Sequence, residues 1–296
     1  MQKKIIVLAI AAALSVPAMA LAEATVYGQA NLSIDMAKDG AATNSTSANQ
    51  LISNNSRIGF KGSEDLGGGM SAIWQMEGTV SMDTPAALAF DRNTFVGLMS
   101  NSLGTLRLGN YDTPYNRATR KLDVFGDTVV ADNRGLNGVG MMGSIGNTVS
   151  DLEARAQNAI DYTSPNFSGF SVALASVFGA ETLPQPAAPA NKKGTANSLA
   201  AMYSMDAIYA TLALINVKYG NANTGDLGAG GGFAVDDKVS ATKLGVGYTM
   251  DAITANLVFE KPKVTFKAGG DISSTNIYLA GKYKAYTVVF LPMPWS

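Results

Sequence analysis

The feature that most constrains this fold is a two-residue alternation of apolar and polar side chains that recurs along most of the chain. It is already complete in the stretch TVYGQANLSID at positions 25–35. Successive side chains of a β-strand point to opposite faces of the sheet. Val26 and Ile34 are therefore expected on one face, and Tyr27 and Asp35 on the other. A strand of this kind separates an apolar environment from a polar one.

The same pattern returns in short segments separated by polar or Gly-rich turns, and it predicts about 12 or 13 antiparallel strands joined largely by hairpins. Past residue 22 the chain shows no convincing 3.6-residue period, so no helix is predicted there. Two turns share the letters MDA, around Asp206 and Asp251. We expect the same turn geometry at both positions. The predicted fold class is all-β.

The connections between the predicted strands fall into two classes. Turns such as EDLGGG, NSLG and MDA are tight, whereas long loops are predicted at 37–50, 180–196 and 220–240. A longer stretch, 111–157, has no strong strand pattern, and a connection of that length is usually functional. Tight turns at one end of the strands and long loops at the other are typical of a transmembrane antiparallel β-barrel.

The bilayer itself supports this interpretation. Within hydrocarbon every backbone N–H and C=O group needs an internal partner, so only helices and closed barrels cross it. A barrel places the apolar set of side chains in lipid and the polar set in water. Aromatic residues near the predicted strand ends fit the interfacial girdles of such a barrel: Tyr27, Tyr162, Tyr203, Tyr219, Tyr248 and Phe259.

The first 22 residues have the form of a secretory signal peptide. Lys3 and Lys4 precede an apolar run, which ends in the small residues ALA at 20–22. We expect cleavage after Ala22, export, and a barrel domain over 23–296. The apolar run is too short for a membrane anchor.

The composition excludes several classes of protein. The chain has no cysteine, so disulfides do not stabilise it, and no histidine, which removes Ser-His-Asp catalysis and the usual zinc ligand sets. Without Lys3 and Lys4, the 22 basic residues fall to 20 against 23 acidic ones, a net charge of −3. So small an excess indicates no nucleic-acid partner.

Two alternatives remain open beside the barrel. A soluble or surface-attached β-sandwich acting as a binding or adhesion module would also alternate, with its apolar face in a core. Against it, open sheets rarely exceed about ten strands, and the polar faces carry charges at mid-strand: Arg57, Arg107, Asp161 and Lys243. A barrel enzyme would need a carboxylate or lysine mechanism, for which the sequence offers no supporting constellation.

Four stretches of the chain resemble the Gram-negative general porins of the proteobacterial and neisserial type. They read ATVYGQANLSID, SRIGFKGSEDLGGGMSAIWQME, RNTFVGLMSNSLGTLRLGNYDTPY and LDVFGDTVVADNRG. The resemblance covers roughly residues 1 to 283. It implies a 16-stranded, homotrimeric outer-membrane barrel that forms a water-filled channel for passive diffusion of ions and small hydrophilic solutes. It also implies that the long loop 111–157 folds inward as a constriction.

In such a porin, carboxylates on the inward loop face basic residues on the barrel wall. Carried over by position, the loop carboxylates are Asp123, Asp127 and Asp132. The basic residues expected on the facing wall are Arg57, Lys61 and Arg107, which share the polar face of their strands. The resemblance further implies outer-membrane lipid and the outer-membrane assembly machinery as partners.

No catalytic residue, metal site or cofactor is predicted. The sequence DDK at 236–238 and the loop aspartates lack the spacing of a calcium loop. GAGGGF at 228–233 has no strand-to-helix context and is interpreted as an external loop and not as a phosphate-binding loop.

The tail departs from the porin pattern. Porins end in an alternating strand closed by a terminal aromatic residue, whereas this chain ends in AYTVVFLPMPWS, with 285–296 atypical. Two prolines interrupt the apolar run, and proline does not donate to a strand ladder. We therefore expect a truncation or frame change after about residue 284, with impaired assembly as its consequence.

Overall fold

The structure is a computed structural model. It describes residues 23–38, 47–128, 145, 152–178, 194–220 and 233–284. The predicted signal peptide (1–22), the atypical tail (285–296) and Asp132 lie outside the described residues. No helix in the described part of the chain has the length and apolar character needed to cross a membrane.

The described residues are mostly antiparallel β-strands. Fifteen strands are present within them: β1 (Glu23–Gln29), β2 (Leu32–Lys38), β3 (Ser47–Ser53), β4 (Arg57–Gly67), β5 (Met70–Thr79), β6 (Thr94–Ser100), β7 (Gly104–Asp112), β8 (Arg155–Thr163), β9 (Phe170–Phe178), β10 (Thr195–Met205), β11 (Ile208–Lys218), β12 (Lys238–Met250), β13 (Ile253–Thr265), β14 (Asp271–Ser273) and β15 (Asn276–Tyr283). A short helix, α1 (Pro114–Thr119), and a 3₁₀ turn (Arg120–Leu122) follow β7.

Thirteen of the strands form one sheet. Its order is β1-β4-β5-β6-β7-β8-β9-β10-β11-β12-β13-β14, and β15 also pairs with β13. Strands β2 and β3 pair with each other in a second, two-stranded sheet. The all-β antiparallel fold is thus confirmed, with more strands than the sequence pattern showed.

The extra strands have two origins. The single strand expected at 25–35 is divided between β1 and β2, and β3 lies mostly inside the loop predicted at 37–50, which was therefore wrong at both ends. The sequence SANQLIS of β3 alternates weakly, so pairing with β2 decides its conformation and local pattern does not.

A β-bulge produces the division after β1. Gln29 pairs with Arg57 in the first sheet, and Leu32 pairs with Ser53 in the second. Two residues separate Gln29 from Leu32, but three separate Ser53 from Arg57, so the stretch between β3 and β4 has one extra residue. Asn55, within that stretch, has a φ of 52°. Asparagine tolerates this left-handed conformation better than most residues do.

The predicted alternation of environments is present in the structure. On one face, Val26, Ile34 and Leu279 are 64, 71 and 78% exposed, and this outer face is apolar. On the opposite, inner face of the later strands, Ala200 and Ala213 are fully buried. Apolar side chains that point away from the core in this number are accounted for when lipid surrounds the sheet.

Tyr27 does not belong to an outer aromatic girdle, contrary to the sequence expectation. Its hydroxyl donates to Glu77 at 2.9 Å, and Lys61 lies 5.3 Å from its ring centroid. The ring covers Gly59 on the facing strand, where an added Cβ would come within 2.3 Å of it. Tyr27 belongs to the polar set of alternating residues on its strand and therefore points to the inner face, although it lies near the end of the strand.

The two MDA turns confirm the expected equivalence. Each connects a pair of long strands through two residues, and Asp206 and Asp251 both have φ of 50°. A left-handed first residue matches the twist of the flanking strands in a two-residue hairpin, and aspartate accepts that conformation.

The expectation of no helix was wrong at α1. Thr113 caps this helix by accepting a hydrogen bond from the backbone N–H of Asn116 at 3.2 Å, and Pro114 lies in its first turn. Six residues are too few to show a helical period. The Thr-Pro pair was the available signal, because it combines a capping residue with a proline at the helix start.

Candidate functional site

A continuous stretch after β7 crosses the inner face of the sheet; we call residues 113–128 the inward segment. The backbone N–H of Tyr115 donates to Ser198 on β10 at 2.9 Å, and the hydroxyl of Tyr209 on β11 donates to the carbonyl of Ala118 at 2.6 Å. Further along, Asn256 on β13 donates to the carbonyl of Leu122 at 2.9 Å. The wall strands thus supply the partners that the backbone of the short helix lacks.

The first half of the inward segment is anchored in a buried core. Tyr115 and Ala118 are fully buried and pack against the small inner residues of β9–β12. The hydroxyl of Tyr115 donates to Glu260 at 2.6 Å. Burial, and then the charge of Glu260 and its hydrogen bond, raise the pKa of Tyr115 well above 10, so the phenol is neutral.

A buried charge cluster joins the wall to the far end of the loop. Lys243 on β12 is 0% exposed and pairs with Glu153, which precedes β8, and with Glu260 at 3.6 Å. Its ammonium also lies 4.0 Å from the ring centroid of Tyr115. One cation is thereby shared by two buried carboxylates and an aromatic face.

The second half of the inward segment reaches both ends of the sheet. The hydroxyl of Tyr278 on β15 donates to Asp123 at 3.1 Å, and the side chain of Asn31, which follows β1, donates to the carbonyl of Asp127 at 2.9 Å. Four residues span at most ~14 Å. The first and last strands therefore approach the same short stretch, and the sheet is curled, although within the described residues no ladder joins β1 to β15.

Two of the predicted site residues meet directly. Arg57 on β4 contacts a carboxylate oxygen of Asp127 with both terminal nitrogens at 3.1 Å. The side chains are 21 and 28% exposed. An ion pair with that access to water contributes about 0.2–1 kcal/mol, so its main effect is on local charge and position.

Arg107, the third predicted wall residue, does not face a loop aspartate. It pairs at 3.0 Å with Asp161 on the neighbouring strand β8, and Arg117 of α1 binds the same carboxylate at 2.6 Å. The guanidinium carbons of both arginines lie just under 5 Å from the ring centroid of Tyr111, at 4.9 and 4.8 Å. Two cations here share one buried carboxylate.

The remaining predicted residues occupy different positions. Lys61 lies on the inner face over Tyr27 and makes no ion pair among the described residues. Asp123 accepts from Tyr278 and from the backbone N–H of Phe125 at 3.0 Å, which orients it toward β15. Asp132 lies outside the described residues.

Other charged residues of the inner face were missed in the sequence. Arg92, just before β6, pairs with Glu77 at 2.7 Å, and Asp112 is shared by Arg120 at 3.5 Å and Arg155 at 3.4 Å. Glu77 lies on a strand, so the alternation of its neighbours could have predicted that its side chain points to the inner face. Arg92 and Arg120 lie outside strands, where parity gives no orientation.

The geometry describes a wall lined with arginine and a segment that crosses in front of it. Among the described residues no group of three or more carboxylate, histidine or cysteine side chains is placed to hold a metal ion. The charged groups pair with one another across strands and loop. Together with an outer face that suits lipid, this arrangement is typical of a membrane-embedded β-barrel with a charged interior.

Comparison with known proteins identifies the family. The model for the Gram-negative porin family matches residues 7–287. Outer membrane porin protein 32 of Delftia acidovorans is 30% identical over 285 residues, covering 95% of this chain and 75% of that protein. Major outer membrane protein P.IB of Neisseria meningitidis is 32% identical over 176 residues, 58% of this chain and 48% of its own length. The chain thus spans about three quarters of the first relative and about half of the second.

The solved structures agree at the level of the fold. The anion-selective porin from Comamonas acidovorans superposes with a TM-score of 0.67 at 24% identity, covering 88% of this chain and 74% of that one. The chain belongs to the Gram-negative porin family. It is an outer-membrane β-barrel porin that forms a channel, and the β-sandwich alternative is not favoured.

Proposed function

We propose that this porin conducts ions and small hydrophilic solutes by passive diffusion, and that the loop 111–157 sets the narrowest point of the channel. In this proposal Asp123, Asp127 and Asp132 are the loop carboxylates. Arg57, Lys61 and Arg107 are the basic residues of the wall.

The observation that carries the proposal is the pairing of Asp127 with Arg57. The two residues are 70 positions apart, and their contact holds the end of the inward segment against β4, three strands away from β7, after which the segment begins. A segment held across the inner face reduces the open cross-section and exposes its charges to passing solutes. Arg107 contributes to the same field indirectly, because it shares Asp161 with Arg117.

The arginine clusters of this wall favour anions, whereas the two carboxylates that share Lys243 are buried away from passing solutes. Arg107 and Arg117 share one carboxylate, and Arg120 and Arg155 share another, so two guanidinium groups have no carboxylate of their own. Lys61 adds a further positive charge. A ring of excess positive charge at a narrow point attracts anions and repels cations.

The finer features of the protein belong to the same proposal. It works as a homotrimer in outer-membrane lipid, reaches that membrane through the assembly machinery, and catalyses no reaction. The resemblance supports the first two statements. The third is supported by membership of a family of channel proteins.

Ion selectivity in planar bilayers tests the proposal. Across a KCl gradient we expect the wild-type reversal potential to indicate a preference for chloride. Asp127→Asn increases that preference and Arg57→Gln decreases it, because each removes one charge of opposite sign from the constriction. Asp206→Asn is the matched control, since Asp206 shares the left-handed backbone of Asp127 but lies in a tight turn.

Opposite shifts in the two variants, with an unchanged control, support the constriction. Shifts of the same sign, or none, would place Asp127 outside the conducting path. A wild-type protein that inserts into the bilayer and passes no current would refute passive diffusion.

A further inference from the structure

An apolar stretch interrupts the charged inner face of the sheet on β5–β7. Phe95 and Met99 lie on β6, two residues to either side of Gly97. Ile73 of β5 and Arg107 of β7 are directly opposite Gly97 on its two sides in the ladder. Residues at these positions share one face of the sheet. We call Ile73, Phe95, Met99 and Arg107 the β6 site, because they surround the glycine of β6.

The centre of the β6 site has no side chain. Ile73 and Arg107 are two strand spacings apart, or ~10 Å, and the two β6 side chains are four residues apart along one strand, or ~13 Å. A Cβ added to Gly97 would lie 3.3 Å from Cγ1 of Ile73, so Ile73 provides an apolar floor. Met99 is 39% exposed although it lies on the inner face. These dimensions suit one planar ring with a single substituent.

Arg107 presents an open pair of donors beside this floor. Its Nη1 donates to Asp161 at 3.0 Å and to Thr163 at 3.3 Å, whereas its Nε and Nη2 make no hydrogen bond within the described part of the chain. Arg117 donates to both oxygens of Asp161, at 3.1 and 2.6 Å, so two guanidinium charges share one carboxylate. Two neighbouring N–H groups of an arginine bind a carboxylate through two parallel hydrogen bonds. Arg107 can therefore bind the carboxylate of a solute without leaving Asp161.

Two aromatic rings adjoin the same guanidinium group. The guanidinium carbon of Arg107 lies 5.6 Å from the ring centroid of Phe95 and 4.9 Å from that of Tyr111. The two rings meet edge to face, with centroids 5.1 Å apart. Gly109 is directly opposite Phe95 in the ladder and has no side chain to cover the ring. A half-buried aromatic surface thus lies next to an arginine charge on the wall of the channel.

We propose that the β6 site binds aromatic carboxylates as they cross the channel. The Nε–H and Nη2–H groups of Arg107 donate to the carboxylate, and the ring of the solute lies over Gly97 against Phe95. The sulfur of Met99 adds a favourable contact with the edge of that ring. An aliphatic acid of the same charge gains the first contact and not the aromatic ones. This inference rests on the proposed function, since it names a class of solute for the same wall, but the binding it requires is measurable without current.

Equilibrium dialysis of the full chain in detergent tests the site, with radiolabelled benzoate and cyclohexanecarboxylate as probes and empty micelles as the blank. The two acids have the same charge and similar volume. We expect benzoate to bind about 3- to 10-fold more tightly, because ring contacts add roughly that factor. Phe95→Leu should lower this ratio to about twofold or less, and Phe95→Tyr should preserve it. Arg107→Gln should weaken binding of both acids about tenfold or more.

The matched control removes an aromatic ring from the other face of the sheet. Phe259 lies on β13 and is 37% exposed on the outer face. Phe259→Leu should leave the ratio of the two affinities unchanged. Circular dichroism verifies that each variant is folded, and Phe95→Leu keeps the test valid if Arg107→Gln does not fold.

Three outcomes overturn the proposal: equal affinities of the wild type for the two acids, a benzoate preference that survives Phe95→Leu, and an equal loss of that preference in Phe259→Leu. Planar-bilayer currents in KCl, recorded on the same preparations, separate this site from the channel. A protein that conducts without preferring benzoate refutes the site alone, whereas one that prefers benzoate and passes no current refutes passive diffusion alone.

Discussion

Replacing Lys243 with methionine tests how the inward segment is held. Lys243 is fully buried, and its ammonium is the cation that Glu153 and Glu260 both contact; these side chains are 3 and 0% exposed. Methionine fills a similar volume but leaves two carboxylates buried without that cation. Breaking a buried ion pair from one side typically costs about 3–5 kcal/mol.

The substitution is expected to lower stability and to raise conductance. A destabilisation of this size lowers the melting temperature by roughly 6–20 °C. Because Glu153 lies at the far end of the loop and Tyr115 in its helix, we also expect the inward segment to detach and single-channel conductance to rise. Thermal melts by circular dichroism in lipid-free detergent and planar-bilayer recordings measure the two effects. Lys238→Met, on the outer face of the same strand, should change stability by no more than about 0.5 kcal/mol.

A triple variant separates charge from packing. Adding Glu153→Gln and Glu260→Gln to Lys243→Met removes the uncompensated charges while keeping the side-chain volumes, so most of the lost stability should return. A Lys243→Met protein with the melting temperature of the wild type would refute the reasoning. So would a triple variant as unstable as the single one, because the cost would then lie in packing and not in buried charge.

Two further predictions concern single contacts. Gly59→Ala places a Cβ 2.3 Å from the Tyr27 ring and should lower the free energy of unfolding in urea by about 1–3 kcal/mol, whereas Gly281→Ala places its Cβ 3.8 Å from the carbonyl oxygen of Thr254 and should be nearly neutral. Burial, and then the charge of Asp237, raise the pKa of Tyr219 to about 12. The contribution of Tyr219 to the free energy of unfolding is therefore complete below about pH 10, which is its pKa in the unfolded chain. It declines by roughly 2–3 kcal/mol as the pH rises to 12. Tyr219→Phe should remove that part of the decline in melts between pH 9 and 12; an identical pH profile would contradict it.

The sequence predicted the fold where the local pattern and the environment agree. Val26 and Ile34 alternate with polar neighbours, and lipid on one side and a packed or aqueous interior on the other require that alternation. The two MDA turns were predictable for the same reason, because Asp206 and Asp251 have local conformational preferences that the hairpin uses.

The remainder depends on contacts between distant residues. Strand β3 forms because β2 is beside it, and Tyr27 turns inward because Glu77 accepts its hydroxyl. Resemblance to porins suggested Asp127 on the loop and Arg57 on the facing wall, but nothing in the sequence predicted that these two residues, 70 positions apart, would pair. Glu153 gave no signal, because its partner Lys243 lies 90 positions away.

The inward segment has two structural tasks that share residues. Asp123 contacts β15 through Tyr278, and Asp127 contacts the β1–β4 end through Arg57, so the five residues 123–127 connect the two ends of the sheet. In the proposed channel, the same carboxylates face the interior and contribute to its electrostatic field. A change of charge at Asp127 therefore alters the channel and the connection between sheet ends together, whereas the pairs around Asp161 join only α1 and neighbouring strands. The proposal therefore couples ion selectivity to the connection between the sheet ends at the loop carboxylates, and separates the two at the arginine wall.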